Sequence, residues 1–326
     1  MLTTELVERI LTTIPLRTVG LLGDLFLDRY LDIDPARDEP SVETGLTAYQ
    51  VTGVRSYPGA LGTVLNNLAA LGIGRITPIS VIGDDGEGYE LQQALRKIPA
   101  VDMGGLVTTA DRRTPTYTKP MYGTKELNRL DIKNRTPTPT ALEDAILRLL
   151  GEAWPRLDAL IVLDQVSEVD CGVVTKRVRE WLAERGEKEP NKFILADSRE
   201  QIGLFRNVCL KPNFAEWKSA SKAMEKFQGF VFLTQGVQGT VVLDADGKNG
   251  SHSACLVPAY PVSGPIDICG AGDSCSAGIT SAMVSGATHE EAAAFGNLIA
   301  SITIQQIGVT GTATPEQVRA RWREVQ

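Results

Sequence analysis

Short apolar runs alternate with longer amphipathic stretches from one end of the chain to the other. The runs are apolar on both faces, and turn residues bound them, as in buried parallel strands. They lie at 18–23, 76–82, 160–163, 193–196, 230–233 and 240–243. Stretches with helical spacing lie at 63–71, 87–97, 140–152, 170–185 and 290–304. This alternation predicts an α/β fold whose mostly parallel central sheet carries helices on both faces.

Two segments interrupt the alternation, at about 30–57 and 114–132. Both are rich in threonine, tyrosine and other β-favouring residues and have little helical period. Long structureless loops are uncommon in compact domains, so two surface loops are the less favoured alternative. We therefore predict a single domain over 1–326, in which these segments form a small β-sheet lid over the edge of the main sheet.

Composition excludes several classes of protein. The 326 residues are 43% hydrophobic and 22% charged, typical of a globular chain. The net charge of −7 comes without a basic block, so we expect no nucleic-acid partner. No apolar run approaches the roughly 20 residues of a membrane helix, and the amphipathic start does not resemble a signal peptide.

Cysteine and histidine usage points to a cytoplasmic protein without a zinc site. The five cysteines are widely spread and form no Cys-x-x-Cys pair, which fits free thiols in a reducing compartment. His252 and His289 are the only histidines, and they are not paired on a helix face as zinc ligands would be. We expect both to be exposed, in a loop or at a helix cap.

A glycine turn that leads into a small-residue helix is the most informative stretch. Gly270 and Gly272 lack a Cβ, so backbone N–H groups near Ala271 can converge on one point, and the helix start adds positive partial charge. This pattern predicts an anion site. Asp273 either caps the helix, which the stretch alone favours, or accepts the proton of an attacking hydroxyl beside a bound phosphoryl group.

Polar residues also follow the first predicted strand. Neither a phosphate-binding P-loop nor a dinucleotide Gly-x-Gly-x-x-Gly is present. Asp24 and Asp28 lie instead where open α/β sheets bind ligands, and carboxylates there can accept protons from a polyol or cap a turn. Gly59 and Thr63 lie in a turn that enters a helix, where ligand approach and ordinary turn chemistry explain them equally well.

A third cluster lies further along the chain. Asn213 and Glu216 are three residues apart, just after a predicted strand end. An amide and a carboxylate can hold a hydrated Mg²⁺ ion, whereas the same spacing is also a helix capping box. The two interpretations have about even weight.

In this order the segments resemble the ribokinase-like (PfkB) family of carbohydrate kinases, and the resemblance covers nearly the whole chain. The family signature Asp-Thr-x-Gly-Ala-Gly-Asp is similar to 267–273, with Ile268 in place of threonine. The family's Asn-x-x-Glu motif is similar to Asn213 and Glu216, and its Thr-x-Gly-x-x-Gly nucleotide loop is similar to Thr234, Gly236 and Gly239. Its adenine-side helix and tail are similar to 295–312, where Asn297 lies in the helix.

The subgroup that this chain most resembles is the D-glycero-β-D-manno-heptose 7-phosphate kinases. Residues 23–30 resemble the first sequence motif of this subgroup, and residues 116–131, which include Arg129, resemble its second lid segment. One departure concerns the sugar site, because the family's Gly-Gly-x-x-Asn is replaced by 59–63, with a threonine at Thr63. The smaller hydroxyl suggests a different or more weakly bound sugar.

The resemblance implies ATP-dependent phosphorylation of a sugar or sugar phosphate and favours the catalytic interpretation of Asp273. Gly270, Ala271 and Gly272 would steady the transferred charge, and Asn213 and Glu216 would act on Mg²⁺ through water. Asp267 has the position of a monovalent-cation ligand in the family, so K⁺ binding is an open question. The residues implied in sugar binding are Asp24, Asp28, Gly59, Thr63 and Arg129.

Alternatives of two kinds stay open. The departures at Thr63 and Ile268 allow a catalytically weakened sugar-binding or regulatory homologue. Tyrosines in and near the lid segments allow a nucleoside kinase of the same fold. If the lid is a β-sheet, two copies could pair across subunits, which makes a homodimer a further expectation.

Overall fold

The apolar runs form the strands of one large sheet. The structure is a computed structural model that describes residues 2–245 and 253–326. The strands are β1 (Thr18–Gly23), β2 (Leu25–Ile33), β3 (Glu39–Pro40), β4 (Thr47–Ala48), β5 (Val51–Ala60), β6 (Arg75–Gly83), β7 (Leu106–Thr109), β8 (Thr116–Tyr122), β9 (Lys125–Glu126), β10 (Leu130–Ile132), β11 (Ala159–Asp164), β12 (Phe193–Ser198), β13 (Cys209–Leu210), β14 (Phe230–Thr234), β15 (Thr240–Asp244) and β16 (Ser253–Val257).

Helices connect most of the strands of the large sheet. They are α1 (Thr4–Thr13), α2 (Leu61–Leu71), α3 (Gly86–Arg96), α4 (Thr140–Ala153), α5 (Lys176–Lys188), α6 (Phe214–Ser219), α7 (Ser221–Met224), α8 (Ala271–Met283), α9 (His289–Thr303) and α10 (Pro315–Val325). Among the described residues, no helix is long and apolar enough to cross a membrane.

The large sheet has nine strands within the described ranges, in the order β16-β15-β14-β13-β12-β11-β1-β6-β7. From β14 to β7 all neighbours are parallel, whereas β15 and β16 are antiparallel. The antiparallel step follows from the short connection after Thr234, because a parallel crossover needs a dozen or more residues. The predicted α/β fold is therefore confirmed.

Both faces of the sheet are covered. Strand β1 is almost wholly buried, and its alternate side chains enter two different apolar clusters. Leu21 packs in the cluster that contains residues of α1, α2, α8 and α9, whereas Leu22 packs with residues of α4 and α5. The two-residue period of a strand thus separates the two helical layers.

The two irregular segments contribute to a second, smaller sheet. Its order is β10-β8-β2-β5, and β9 pairs with β8. The sheet is mixed, because β2 pairs with β8 in parallel and with β5 in antiparallel. The first of the two segments is longer than the predicted 30–57, because its strands begin at Leu25 and end at Ala60. Only Asp24 separates β2 from β1, so no loop precedes the small sheet.

Two predicted helical features differ from the structure. The helix predicted over 170–185 begins only at Lys176, because Asp170 has a φ of 54° and accepts a hydrogen bond from the Lys176 amide at 2.7 Å. His289 is half-buried as the first residue of α9, with its ring stacked 3.5 Å from that of Phe230, so the expected exposure is wrong. His252 lies outside the described residues.

Candidate active site

The glycine turn lies between two cavities at the carboxyl end of the large sheet. The small-sheet cavity, of about 340 Å³, is lined by Asp28, Lys119 and Arg129 among others. The hairpin cavity, of about 710 Å³, is lined by the β14–β15 hairpin and Glu216 among others. Four residues line both: Gln165, Arg199, Gly270 and Asp273. Among the described residues, Asp273 is therefore the one carboxylate that reaches both spaces.

Gly270 shapes the turn. It has a φ of 77° and precedes α8 directly. A Cβ there would lie 2.5 Å from Thr310 Cγ2 and 3.3 Å from Thr63 Cγ2, so the close approach of these chains requires glycine. No side-chain hydrogen bond caps α8, and Asp273 is its third residue. The Ala271 amide donates to the Ile268 carbonyl at 3.1 Å, so of the amides of Ala271 and Gly272 only that of Gly272 is left for a ligand, as an anion site requires.

The Asp273 carboxyl has an unusual environment. Burial and the nearby Asp197 raise its pKa to about 7, against the opposing charges of Lys211 and Arg199. A carboxyl with a pKa near neutrality can both accept and release a proton at physiological pH.

Lys211 is a site residue for which sequence reasoning proposed no role. It is buried, and its Nζ lies 2.7 Å from Asp197 Oδ2. That same Nζ lies 3.6 Å from where a Cβ on Gly272 would be, so the charge is adjacent to the turn. The neighbouring Asp197 is among the groups that raise the pKa of Lys211. The only sequence signal was a lysine immediately before Pro212 and Asn213.

Three of the predicted sugar-site residues line the small-sheet cavity: Asp28, Thr63 and Arg129. Burial raises the pKa of Asp28, and the charges of Lys119 and Arg129 oppose the shift. Gly59 supports this carboxylate indirectly, because a Cβ at that position would lie 2.2 Å from Asp28 Oδ2.

Asp24 has a different position. It lines neither cavity; its Oδ1 accepts a hydrogen bond from the Val173 amide at 2.9 Å. Burial raises its pKa to about 7. The structure does not bring Asp24 into the small-sheet cavity with Asp28, because the chain turns toward β2 at this residue and its carboxylate points to the loop before α5 instead. That loop in turn forms the cavity wall at Cys171.

Cations of the small sheet extend this cavity. Lys119 donates a hydrogen bond to Tyr30 Oη at 3.2 Å, and Arg129 pairs with Asp131 at 2.7 Å and lies over the Tyr117 ring. Lys133 also lines the cavity. Sequence reasoning missed Lys119 and Lys133, because only the pairing of the strands brings them to the cavity. Lys119 lies in β8, and Lys133 directly follows β10.

The hairpin cavity contains the predicted nucleotide-loop residues Thr234, Gly236 and Gly239. Gly236 and Gly239 have φ values of 57° and 101°, and a Cβ at Gly239 would lie 2.2 Å from the Val257 carbonyl oxygen. Asn297 also lines the cavity, but its amide is occupied. It accepts from Thr240 Oγ1 at 2.7 Å and donates to the Val257 carbonyl at 3.0 Å. Its role is therefore to hold the cavity wall together.

Asn213 and Glu216 both form a capping box and line the hairpin cavity. The backbone amide of Asn213 donates to Glu216 Oε2 at 2.7 Å, and burial raises the pKa of Glu216. Within the described ranges, no cluster of three His, Cys, Asp or Glu side chains could hold a metal ion. The pair thus fits Mg²⁺ that is held mainly by phosphate and water, as this ion prefers, and does not form a complete protein site.

Asp267 stabilises the turn from outside both cavities. Its Oδ1 accepts from the Cys269 amide at 3.0 Å, and its Oδ2 accepts from the Gly308 amide at 3.2 Å. One oxygen thus binds the backbone next to the glycine turn, and the other binds the backbone of the segment after α9. Binding of a monovalent cation such as K⁺ by Asp267 stays a prediction.

Known proteins resemble this chain in sequence. Residues 193–317 match the model of the pfkB family carbohydrate kinases. Over 316 residues the chain is 25% identical to the bifunctional protein HldE of Gluconobacter oxydans, an alignment that covers 92% of this chain and 63% of that protein. The chain spans 62–65% of the length of the first curated relatives it matches.

Solved structures resemble it in fold. The Arabidopsis thaliana ribokinase complexed with ribose and ATP has a TM-score of 0.65 at 16% identity, covering 94% of this chain and 98% of that one. An E. coli protein in complex with ATP and Mg²⁺ has a TM-score of 0.64 at 15% identity, covering 94% and 99%. The molecule thus has the ribokinase fold. With the sequence match over 193–317, the predicted resemblance to the PfkB carbohydrate kinases is confirmed.

Proposed function

We propose that this protein transfers the γ-phosphoryl group of ATP to a hydroxyl of a sugar or sugar phosphate. The observation that carries the proposal is that Asp273 and Gly270 line both cavities. In-line transfer needs the donor phosphate and the acceptor hydroxyl on opposite sides of one point, with a base beside the acceptor. The glycine turn meets that requirement.

The step is a simple displacement. The acceptor oxygen forms a bond to the γ-phosphorus as its proton passes to Asp273. The bond from the γ-phosphorus to the bridging oxygen breaks, and ADP leaves with the electron pair. The amide of Gly272 and the buried charge of Lys211 stabilise the negative charge on the phosphoryl oxygens.

ATP is assigned to the hairpin cavity. Its glycines let the backbone approach phosphates closely, and its lining also includes Tyr260 and Ile266, which are apolar enough for a base. Mg²⁺ neutralises charge on the phosphates when bound, and Glu216 and Asn213 are the residues that would contact its water shell.

The small-sheet cavity is assigned to the acceptor. Asp28 can accept hydrogen bonds from sugar hydroxyls, and Lys119, Arg129 and Lys133 provide charges that suit a phosphate already on the sugar. These features, and the similarity to HldE proteins, favour a sugar phosphate such as a heptose 7-phosphate over a neutral sugar.

A coupled assay of ADP formation with a panel of acceptors tests the proposal. We expect turnover with at least one sugar phosphate, and product identification by NMR gives the phosphorylated hydroxyl. Turnover only with nucleosides would favour the nucleoside kinase alternative, for which Phe26 and Tyr117 in the cavity could contact a base. Ligand binding without turnover of any acceptor would favour the regulatory alternative and overturn the proposal.

We also propose a homodimer through the small sheet. Strand β5 lies at an edge of this sheet in the part of the chain that the structure describes, and it exposes Val51 and Val54. Leu130 is exposed at the opposite edge. Light scattering coupled to size-exclusion chromatography should give twice the chain mass; a monomer at micromolar concentration would contradict the dimer.

A further inference from the structure

Arg199 and Gln165 leave neighbouring strands side by side. Strands β11 and β12 are parallel, with Asp164 opposite Ser198, so the next residue of each strand emerges at the same carboxyl edge. There Arg199 Nε donates a hydrogen bond to Gln165 Oε1 at 2.6 Å. The pair therefore has a defined position even though Arg199 is exposed to the cavities.

Both side chains line the two cavities at once. The other cations of the site line one cavity each: Lys211 the hairpin cavity, and Lys119, Arg129 and Lys133 the small-sheet cavity. Arg199 is thus the cation, among the described residues, that lies at the boundary the phosphoryl group must cross.

The guanidinium is also available for an anion. Lys211 and Arg129 each pair with a carboxylate at 2.7 Å, Asp197 and Asp131 respectively. Arg199 has no carboxylate within 4.0 Å in the described parts of the chain, and Gln165 occupies only its Nε. Its two Nη groups are therefore free to form paired hydrogen bonds to phosphate oxygens.

We propose that Arg199 is a catalytic residue whose guanidinium contacts the phosphoryl group during transfer, and that Gln165 positions it. This inference rests on the proposed kinase function. In a loose transition state, negative charge is spread over the three oxygens of the phosphoryl group, so a planar cation at the boundary stabilises the transition state more than either ground state.

The test compares Arg199→Gln, Arg199→Lys and Arg206→Gln in the intact chain. Arg206 is exposed, lies outside both cavities and serves as the matched control. We expect Arg199→Gln to lower kcat about 10²-fold, as for other lost transition-state donors, with nearly unchanged affinity for ATP by calorimetry. Arg199→Lys should restore part of kcat, and Arg206→Gln should match the wild type.

A pH profile separates catalysis from a purely structural role. The charges that face Asp273 are Asp197, Lys211 and Arg199, and Arg199 lowers the Asp273 pKa. Removal of Arg199 should therefore move the acidic limb of the kcat/KM profile to higher pH.

The outcomes distinguish this inference from the function on which it rests. An active wild type with unchanged kcat in Arg199→Gln, or a raised acceptor KM alone, would overturn the inference and leave the kinase function intact. The inference also fails if Arg199→Gln lowers activity only in proportion to a loss of folded protein, measured by thermal unfolding. A wild type that phosphorylates no acceptor would overturn both.

Discussion

Asp273 is the residue on which the proposed chemistry depends most directly. Because the proposed base makes no capping hydrogen bond, Asp273→Asn should leave folding and ATP binding nearly intact. We expect kcat to fall by about 10²–10⁴-fold, the usual contribution of a general base. Steady-state kinetics and calorimetry measure both effects. Asp84→Asn, at an exposed position outside both cavities, is the control, and undiminished turnover in Asp273→Asn would refute the assignment.

The raised pKa of Asp273 also predicts a pH dependence. The base acts only when ionised, and burial beside Asp197 raises its pKa to about 7. Activity should therefore rise with pH through about 7 and fall about tenfold per unit below it. The kcat/KM profile between pH 5 and 9 measures this midpoint. An acidic midpoint near that of an ordinary carboxyl, about 4, would contradict the environment described for Asp273.

The site residues differ in how far sequence alone could identify them. Asp28, Thr63 and Asp273 lie in motifs of consecutive residues, and the structure brings them to the cavities. Asp24 belongs to the same motif as Asp28, but its side chain accepts a hydrogen bond from the Val173 amide in the loop before α5. Spacing along the chain cannot separate such neighbours, because which side of the backbone faces a cavity depends on tertiary packing.

At the scale of elements, the junction of β5 and α2 carries unrelieved backbone strain. Ala60, where the related family pattern has glycine, has a φ of 51° and a ψ of −112°. A side chain in this region costs about 1–3 kcal/mol. Ala60→Gly should therefore raise the free energy of unfolding by about 1 kcal/mol, measured by chemical denaturation.

A matched variant of the same helix checks the cause. Ala69 lies in the interior of α2, where glycine costs roughly 0.5–1 kcal/mol. Ala69→Gly should therefore destabilise the protein, with a sign opposite to that of Ala60→Gly. Equal destabilisation by both variants would show that the junction is not strained.

Elements with a clear period were predictable, whereas those defined by tertiary contacts were not. The buried strands β1, β11 and β12 match their apolar runs to within a residue or two. The residues before α5 have helical spacing, but the hydrogen bond from the Lys176 amide to Asp170 holds them as a loop. The early start of β2 was hidden for a related reason: Asp24 alone separates β1 from β2, so no loop in the sequence marks where β2 begins.

At the scale of the whole molecule, an ionic network attaches the small sheet to the main body. Glu90 of α3 accepts from Arg29 of β2 at 2.7 Å and from Ser56 of β5 at 2.8 Å. Glu87 accepts from Arg29 at 3.2 Å and from Arg113 at 2.8 Å. One helix turn thus holds two strands of the small sheet and the chain that enters a third.

This attachment predicts how the small sheet affects the reaction. The sheet carries Asp28, Tyr117 and Lys119 to the cavity, so in the proposed reaction its position determines both acceptor binding and the exclusion of water. Glu90→Ala removes contacts to two strands. For a partly buried ion pair we expect acceptor binding to weaken by about 1 kcal/mol. This change raises the acceptor KM roughly fivefold, with a smaller change in kcat.

Uncoupled ATP hydrolysis distinguishes positioning from general destabilisation. In Glu90→Ala, a loosened sheet admits water, so the ratio of ADP released to sugar product formed should exceed one, whereas a merely less stable protein would keep that ratio. The control is Glu152→Ala, which breaks an exposed pair with Arg148 at 2.9 Å within α4, away from both cavities. An acceptor KM and a product ratio that match this control would show that the network does not position the small sheet for catalysis.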